Sequence, residues 1–144
     1  MKIHEVKRFN KKVFKALQRL LPQLDPVVEP IKKDQLKSLI RSKNSHLFLA
    51  VTDDKEIAGM LTATVYLIPT GTKYWIEDVV VDEAFRGRGI GKELMVHAME
   101  FARSTGAKSV DLTSRPERIA ANKLYKELGF ELRETNVYRY YLKV

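Results

Sequence analysis

The sequence predicts a single α/β domain of the α+β kind with a mixed sheet, and three observations carry that expectation. Strand-like runs crowd residues 46–81, where "HLFLAVT", "IAGMLTATVYLI" and "KYWIEDVVV" are separated only by short polar or turn-forming stretches. A helical pattern follows, because Ile90, Leu94, Met95, Ala98, Phe101 and Ala102 fall on one face of a 3.6-residue repeat. Between the two regimes lies "VVVDEAFRGRGIGKELM", in which Gly87, Gly89 and Gly91 alternate with Arg86, Arg88, Ile90 and Lys92.

Taken in order, residues 2–6 read as a short strand. Residues 10–21 read as a helix whose Val13, Leu17, Leu20 and Leu21 make an apolar stripe, closed before Pro22. "PQLDPVVEP" is a loop, since its three prolines exclude a continuous helix, and residues 32–42 form a second helix. The three apolar runs then pair antiparallel, with "DDKE" as the turn of the first pair. The third helix runs from the glycines to near Gly106. "KSVDLTS" reads as a buried strand, "RIAANKLYKEL" as a helix stopped at Gly129, and "FELRE" and "NVYRYYLKV" as two closing strands. Helical crossovers suit parallel neighbours and tight turns suit antiparallel ones, which makes the sheet mixed. The elements amount to six or seven strands and about four helices.

Composition sets the outer limits. A chain of 144 residues with 44% hydrophobic content can bury a sizeable core, so residues 1–144 are expected to form one domain. With no cysteine there is no disulfide framework and no thiolate metal site, and His4, His46 and His97 are too dispersed to suggest a ligand cluster, so no metal is expected. "MKIHEVKRFNKK" is charged throughout and no apolar run approaches the ~20 residues of a membrane span, which predicts a cytoplasmic chain with no membrane partner. The net charge of +8 is spread, +6 in residues 1–72 and +2 in residues 73–144, with no basic tail. Nucleic acid is disfavoured as a partner because aromatic and basic residues do not interleave in a binding module. A small polyanionic ligand fits the charge as well.

The glycine run sits between a strand and a helix, where unpaired N–H groups and the helix dipole favour an anion. Two nucleotide motifs fail there. The dinucleotide pattern begun at Gly87 requires glycine where Lys92 stands, and a P-loop ending at Lys92 requires glycine in place of Arg86 and Ser or Thr in place of Glu93. What remains is R-x-x-G-x-G, carried by Arg86, Gly89 and Gly91.

That stretch resembles the acetyl-CoA pyrophosphate loop of the GNAT superfamily of N-acetyltransferases, and "ANKLYKELGF" is similar to the family's later helix, with its tyrosine before an "LGF" ending. The resemblance covers roughly residues 45–144, and the first 44 only by their strand, helix, helix order. It implies a GNAT-like mixed, mostly antiparallel sheet and an enzyme that moves an acetyl group from acetyl-CoA directly to a primary amine of a small molecule or a peptide or protein. A monomer and a homodimer are both compatible with it.

The resemblance also assigns residues. The main chain of Val79, Val80 and Val81 pairs with the pantetheine arm as an added strand would, and a main-chain N–H there meets the oxyanion. Gly87, Arg88, Gly89, Ile90, Gly91 and Lys92 wrap the pyrophosphate, with Arg86, Arg88 and Lys92 supplying charge. Tyr125 hands a proton to the leaving thiolate, although a tyrosine between Leu124 and Leu128 also fits simple packing. Many relatives carry an asparagine seven residues before this tyrosine; here Arg118 stands there, and Asn122 is the substitute for the pantetheine contact. Glu77 is taken as the base, directly or through water, with Asp78 the alternative, because a bulge of the kind relatives carry on this strand would exchange their faces. Tyr66, Tyr74, Trp75, Tyr138 and Tyr140 either line an acceptor pocket or pack. Two other classes compete: a catalytically silent acyl-CoA-binding or sensor domain, and a basic nucleic-acid-binding module.

Overall fold

The computed structural model describes residues 1–143. Two compact units divide the chain, Met1–Thr113 and Ser114–Val144.

The first unit is a four-stranded sheet in the order β1 (Lys2–Glu5), β2 (Ser45–Val51), β3 (Ile57–Ile68), β4 (Gly71–Val81), antiparallel throughout. Helix α1 (Lys11–Leu24) starts where Asn10 accepts from the Val13 N–H at 2.9 Å, and its Val13, Ala16, Leu17 and Leu20 are buried. Those residues, with Leu36 of α2 (Lys33–Arg41), pack on Leu47, Leu49, Ile57, Met60 and Val80. Each buried Val or Leu contributes roughly 1.5–3 kcal/mol. Leu20 is wholly buried, so Leu20→Ala would cost about 2–5 kcal/mol.

The opposite face of the sheet receives α3 (Ile90–Arg103). Phe101 lies 5.4 Å from Phe48 and 6.3 Å from Tyr74, ring centre to ring centre, and the Tyr74 hydroxyl donates to the Ala98 carbonyl at 2.7 Å. Gly59 permits this approach, since a Cβ there would stand 2.9 Å from the Val80 carbonyl oxygen and 3.2 Å from Leu94.

The second unit centres on α4 (Ile119–Glu127). Gly129, at φ +93°, closes it: the Gly129 N–H donates to Lys126 and the Phe130 N–H to Tyr125, a Schellman cap whose apolar contact is the Tyr125–Phe130 ring pair at 6.0 Å.

Two expectations need correction. The sheet has four strands among the described residues, not six or seven. The "KSVDLTS" run contributes only an isolated parallel bridge, Trp75 with Asp111, because β4 bends away three residues further on at Asp78, whose φ is +50°. "FELRE" and "NVYRYYLKV" form no ladder over residues 130–143, and residue 144 lies outside the described residues. Helix α1 also runs through Pro22 to Leu24. Proline there forfeits one hydrogen bond in the last full turn, while Asp25 still donates to Leu21 and the Gln23 amide to Arg19. Of the two readings open for Tyr74, the structure bears out packing: it is a buried core residue.

Candidate active site

The site is assembled along the end of β4 and the turn that follows. Thr62 pairs with Glu77 and Met60 with Val80, so Leu61 alone stands opposite both Asp78 and Val79. This is a β-bulge, and it reverses the alternation of the strand. Tyr74, before it, packs toward α3, whereas Val80, after it, joins the core beneath α1. Both carboxylates at the bend are exposed side by side. Partial desolvation raises the Glu77 carboxyl above its ordinary range, with the Asp78 charge adding to the effect, and desolvation raises Asp78 likewise.

β4 is the terminal strand of the sheet. On the side away from β3 it makes an isolated parallel bridge from Trp75 to Asp111, earlier in the strand than Val79–Val81. Strand edges of this kind accept an extended, amide-bearing ligand by main-chain hydrogen bonding.

Asp82 then turns the chain. It is buried, accepts from the Ala84 N–H at 3.0 Å to start a 3₁₀ turn over Glu83–Phe85, and accepts from Arg19 Nε of α1 at 2.7 Å. Burial alone would raise its carboxyl, but the Ala84 N–H, the Arg19 guanidinium and Gln23 together hold it below the ordinary range. The Gln23 side chain also accepts from the Glu83 N–H at 2.8 Å, which is the use of the helical turn beyond Pro22.

The glycine loop follows. Gly87 and Gly89 both hold left-handed backbone, at φ +77° and +76°, and a Cβ at either would meet nothing within 4 Å. Glycine is therefore not required here by packing. It is required by the backbone turn, and it leaves the concave side open. Gly89 is the N-cap of α3, whose first internal hydrogen bond is Glu93 N–H to Gly89. The N–H groups of Ile90, Gly91 and Lys92 precede that bond and have no partner within the helix. Arg86 donates to the Val81 carbonyl at 3.1 Å, and Arg88 lies 5.3 Å from the centre of the Phe85 ring, so both cations fold back along the turn. Lys92 is exposed on the first helical turn. A cavity of about 240 Å³ beside Arg88 and Ile90 borders the loop. Unpaired helix-terminal N–H groups, the helix dipole and three cations are thus gathered at one turn, an arrangement of the kind that favours an anion.

The structure thus brings Glu77, Asp78, Val79–Val81 and Arg86–Lys92 into one continuous run of the first unit. Tyr125 and Asn122 belong to the second. Tyr125 is buried, and burial raises its phenol above the ordinary range against the opposing Arg118 charge. Asn122 donates its side-chain N–H to the Arg115 carbonyl at 2.9 Å, bracing the turn before α4. Tyr66 lines a separate cavity of about 430 Å³ with Lys43, Asn44, His46 and Thr72. Tyr138 and Tyr140 are largely exposed.

Sequence reasoning missed Asp82, Arg19 and Gln23. Asp82 carried a local signal, an N-capping residue type directly after a valine run. Arg19 and Gln23 carried none, since their partners lie about 60 residues away in the chain.

Comparison with known proteins shows the family. A family model described as the acetyltransferase (GNAT) family matches residues 12–130. Streptothricin acetyltransferase of Streptomyces lavendulae is 37% identical over 87 residues, which is 60% of this chain and 45% of that protein. Glucosamine 6-phosphate N-acetyltransferase 1 of Oryza sativa subsp. japonica is 29% identical over 123 residues, 81% of this chain and 72% of that protein. Among solved structures, an aminoglycoside acetyltransferase from an uncultured soil metagenomic sample, in complex with sisomicin, matches with a TM-score of 0.86 at 22% identity, over 99% of this chain and 96% of the other; that likeness is one of fold. The chain spans less than half the length of the first curated relatives it matches, at 45%, 26% and 38%.

Proposed function

This chain belongs to the GNAT family of acetyltransferases, and we propose on that footing that it transfers an acetyl group from acetyl-CoA directly to a primary amine of a small molecule or peptide. The observation that carries the reading is the left-handed Gly87–Gly89 turn at the N-terminus of α3, directly after an edge strand. The residues present fit the donor: the N–H groups of Ile90, Gly91 and Lys92 and the charges of Arg86, Arg88 and Lys92 would hold its pyrophosphate, and the main chain of Val79–Val81 its pantetheine amides. Acetyl-CoA, when bound, supplies the acetyl group activated as a thioester.

The chain's own residues do the rest. Glu77, its carboxyl raised above the ordinary range by desolvation and the neighbouring Asp78 charge, takes a proton from the acceptor ammonium, directly or through water, so that the amine nitrogen becomes a nucleophile; Asp78 shares the position and is the alternative base. A main-chain N–H of the Val79–Val81 segment stabilises the developing oxyanion. Tyr125 Oη holds the proton for the departing sulfur, an assignment that rests on the "ANKLYKELGF" resemblance. Asn122 is the remaining polar contact for the pantetheine, on the same resemblance. Transfer is direct, and with no cysteine in the chain a cysteinyl intermediate has no residue to form on. The proposal takes residues 1–144 as one catalytic domain working in the cytoplasm.

The test is thiol release from acetyl-CoA across a panel of amino sugars, polyamines, aminoglycosides and peptide N-termini. Turnover with any primary amine supports the reading. Tight acetyl-CoA binding with no release on every acceptor would return the chain to the silent acyl-CoA-binding class.

A further inference from the structure

Beyond the end of α3 the sheet of the first unit carries a second concave site. His46 pairs with Ala63, Val65 with Tyr74 and Leu67 with Thr72, so strand alternation puts His46, Val65, Leu67, Thr72 and Tyr74 on the face that receives α3. Tyr74 reaches that helix at Ala98, and the His46 ring lies 4.7 Å from Phe101, centre to centre. The helix stops at Arg103, while β3 runs on to Ile68 and β4 begins at Gly71. His46, Val65, Leu67 and Thr72 line the cavity of about 430 Å³ together with Lys43 and Asn44, from the turn before β2, and Thr105, just past α3. All of them belong to the first unit, and the volume is that of a small-molecule pocket.

The polar groups around it divide by what they already bind. His46 Nδ1 is 2.7 Å from Glu5 Oε1, and Lys7 Nζ is 2.7 Å from Glu5 Oε2, so both oxygens of the carboxylate that holds His46 are engaged. The Thr105 hydroxyl donates to the Ala102 carbonyl at 2.7 Å and accepts from the Ala107 N–H at 3.2 Å. The Ser104 hydroxyl donates to the Phe101 carbonyl at 2.7 Å, and these two bonds offset the negative end of the helix dipole. The Lys43 ammonium, the Asn44 side-chain amide and the Thr72 hydroxyl, by contrast, make no hydrogen bond or ion pair with any described residue. No carboxylate is among the lining residues.

We propose that this cavity is a ligand site separate from the glycine loop, and that it takes a small organic monocarboxylate with a branched apolar body. Lys43, Asn44 and Thr72 receive the carboxylate, and Val65 and Leu67 the apolar body. One cation and two neutral donors suit a single negative charge. An inorganic anion would leave the Val65–Leu67 wall unused, and a neutral apolar molecule would leave the donors unused. Thr72 and Glu77 lie five residues apart on β4, about 17 Å along an extended strand. The ligand here is therefore not the acetyl acceptor, and the inference is independent of acetyl transfer.

The experiment titrates the full chain with isovalerate, isovaleramide and isopentylamine, which put an anion, a neutral amide and a cation on the same branched body, and follows backbone amide shifts. Isovalerate should give saturable shifts at Asn44, His46, Leu67, Thr72 and Thr105, leave Gly87–Lys92 unmoved, and bind about tenfold or more tightly than the other two. Lys43→Gln, a change at an exposed side chain, should weaken isovalerate roughly tenfold and leave isovaleramide as it was. An equal response to all three probes overturns the proposal, as do shifts confined to Glu77–Lys92. So does the absence of a saturable shift up to roughly 50 mM, well above the dissociation constant a ligand of this size attains. A preference for isovalerate that survives Lys43→Gln overturns it as well.

Discussion

Arg19 and Asp82, 63 residues apart, meet at 2.7 Å and fix the place where β4 ends and the turn toward the glycine loop begins. The same guanidinium donates to the Ile57 carbonyl at 2.7 Å, at the start of β3, so one side chain of α1 ties the start of β3 to the turn after β4. The glycine turn can then be open without being loose, since both its ends are anchored. Asp82→Ala removes the carboxylate, the cap on Ala84 and the partner of Arg19. Arg19 is half exposed and can be solvated in its absence, so the cost should be about 2–3 kcal/mol, below that of a fully buried broken pair. Urea unfolding measures it, and acetyl-CoA affinity should fall in the same variant.

The pH dependence of that anchor has a definite sign. The folded-state pKa of Asp82 is held below its unfolded value, so the unfolded chain binds the proton more readily. Its contribution is complete above the ordinary carboxylate pKa of about 3.9 and is lost as pH falls through the folded value. Wild type should therefore exceed Asp82→Asn in stability at neutral pH, and the gap should close below about pH 4. A gap that stays constant into acid would show that the carboxylate charge is not what Arg19 and Ala84 recognise.

Glu77 has the opposite sign. Its pKa is raised in the fold, so it favours the folded state in acid and that contribution is lost as pH rises through the folded value. At neutral pH Glu77→Gln should therefore be as stable as wild type or slightly more so, while turnover falls roughly 10²–10⁴-fold. Asp78→Asn is the paired experiment, because asparagine tolerates the left-handed backbone at φ +50°. The larger loss of turnover identifies the base.

Much of the first unit is legible in the sequence, because its signals are local. The run "IAGMLTATVYLI" coincides with β3, and the glycine turn stands where a strand gives way to a helical repeat. The bulge was legible only as a family habit; alternation alone puts Val80 and Tyr74 on one face, and the structure puts them on opposite faces. Asp78 is the cause, and an aspartate in a strand does not announce a positive φ. The strands expected at residues 108–114 and 130–143 failed for a different reason. Apolar alternation specifies a strand, but a strand exists only where a partner supplies a ladder, and the partner is not written in the segment.

The glycine loop can be tested by a controlled pair. Gly89→Ala introduces a Cβ at φ +76° and Gly106→Ala one at φ +83° at the far end of α3, and neither Cβ meets anything within 4 Å. Both should therefore cost about 1–2 kcal/mol of backbone strain in thermal unfolding. Only Gly89→Ala places a methyl on the loop proposed to hold the pyrophosphate, so only it should weaken acetyl-CoA, by tenfold or more. Equal affinity in the two variants would make the glycine turn a connection and nothing else.

Tyr125 separates an enzyme from a silent binder. Its ring has a structural role, since it is the apolar partner of Phe130 in the cap of α4. Phenylalanine keeps the ring, so Tyr125→Phe should unfold within about 0.5–1 kcal/mol of wild type and bind acetyl-CoA with unchanged affinity. If Oη supplies the proton for the departing sulfur, kcat should fall roughly 10²–10⁴-fold, and the alkaline limb of the rate profile, which reports a phenol raised by burial, should move or vanish. Tyr125→Ala then serves as the opposite control, losing the ring contact and with it stability. Full turnover in Tyr125→Phe on a real acceptor would leave the tyrosine as a capping residue and hand the protonation of the leaving group to water.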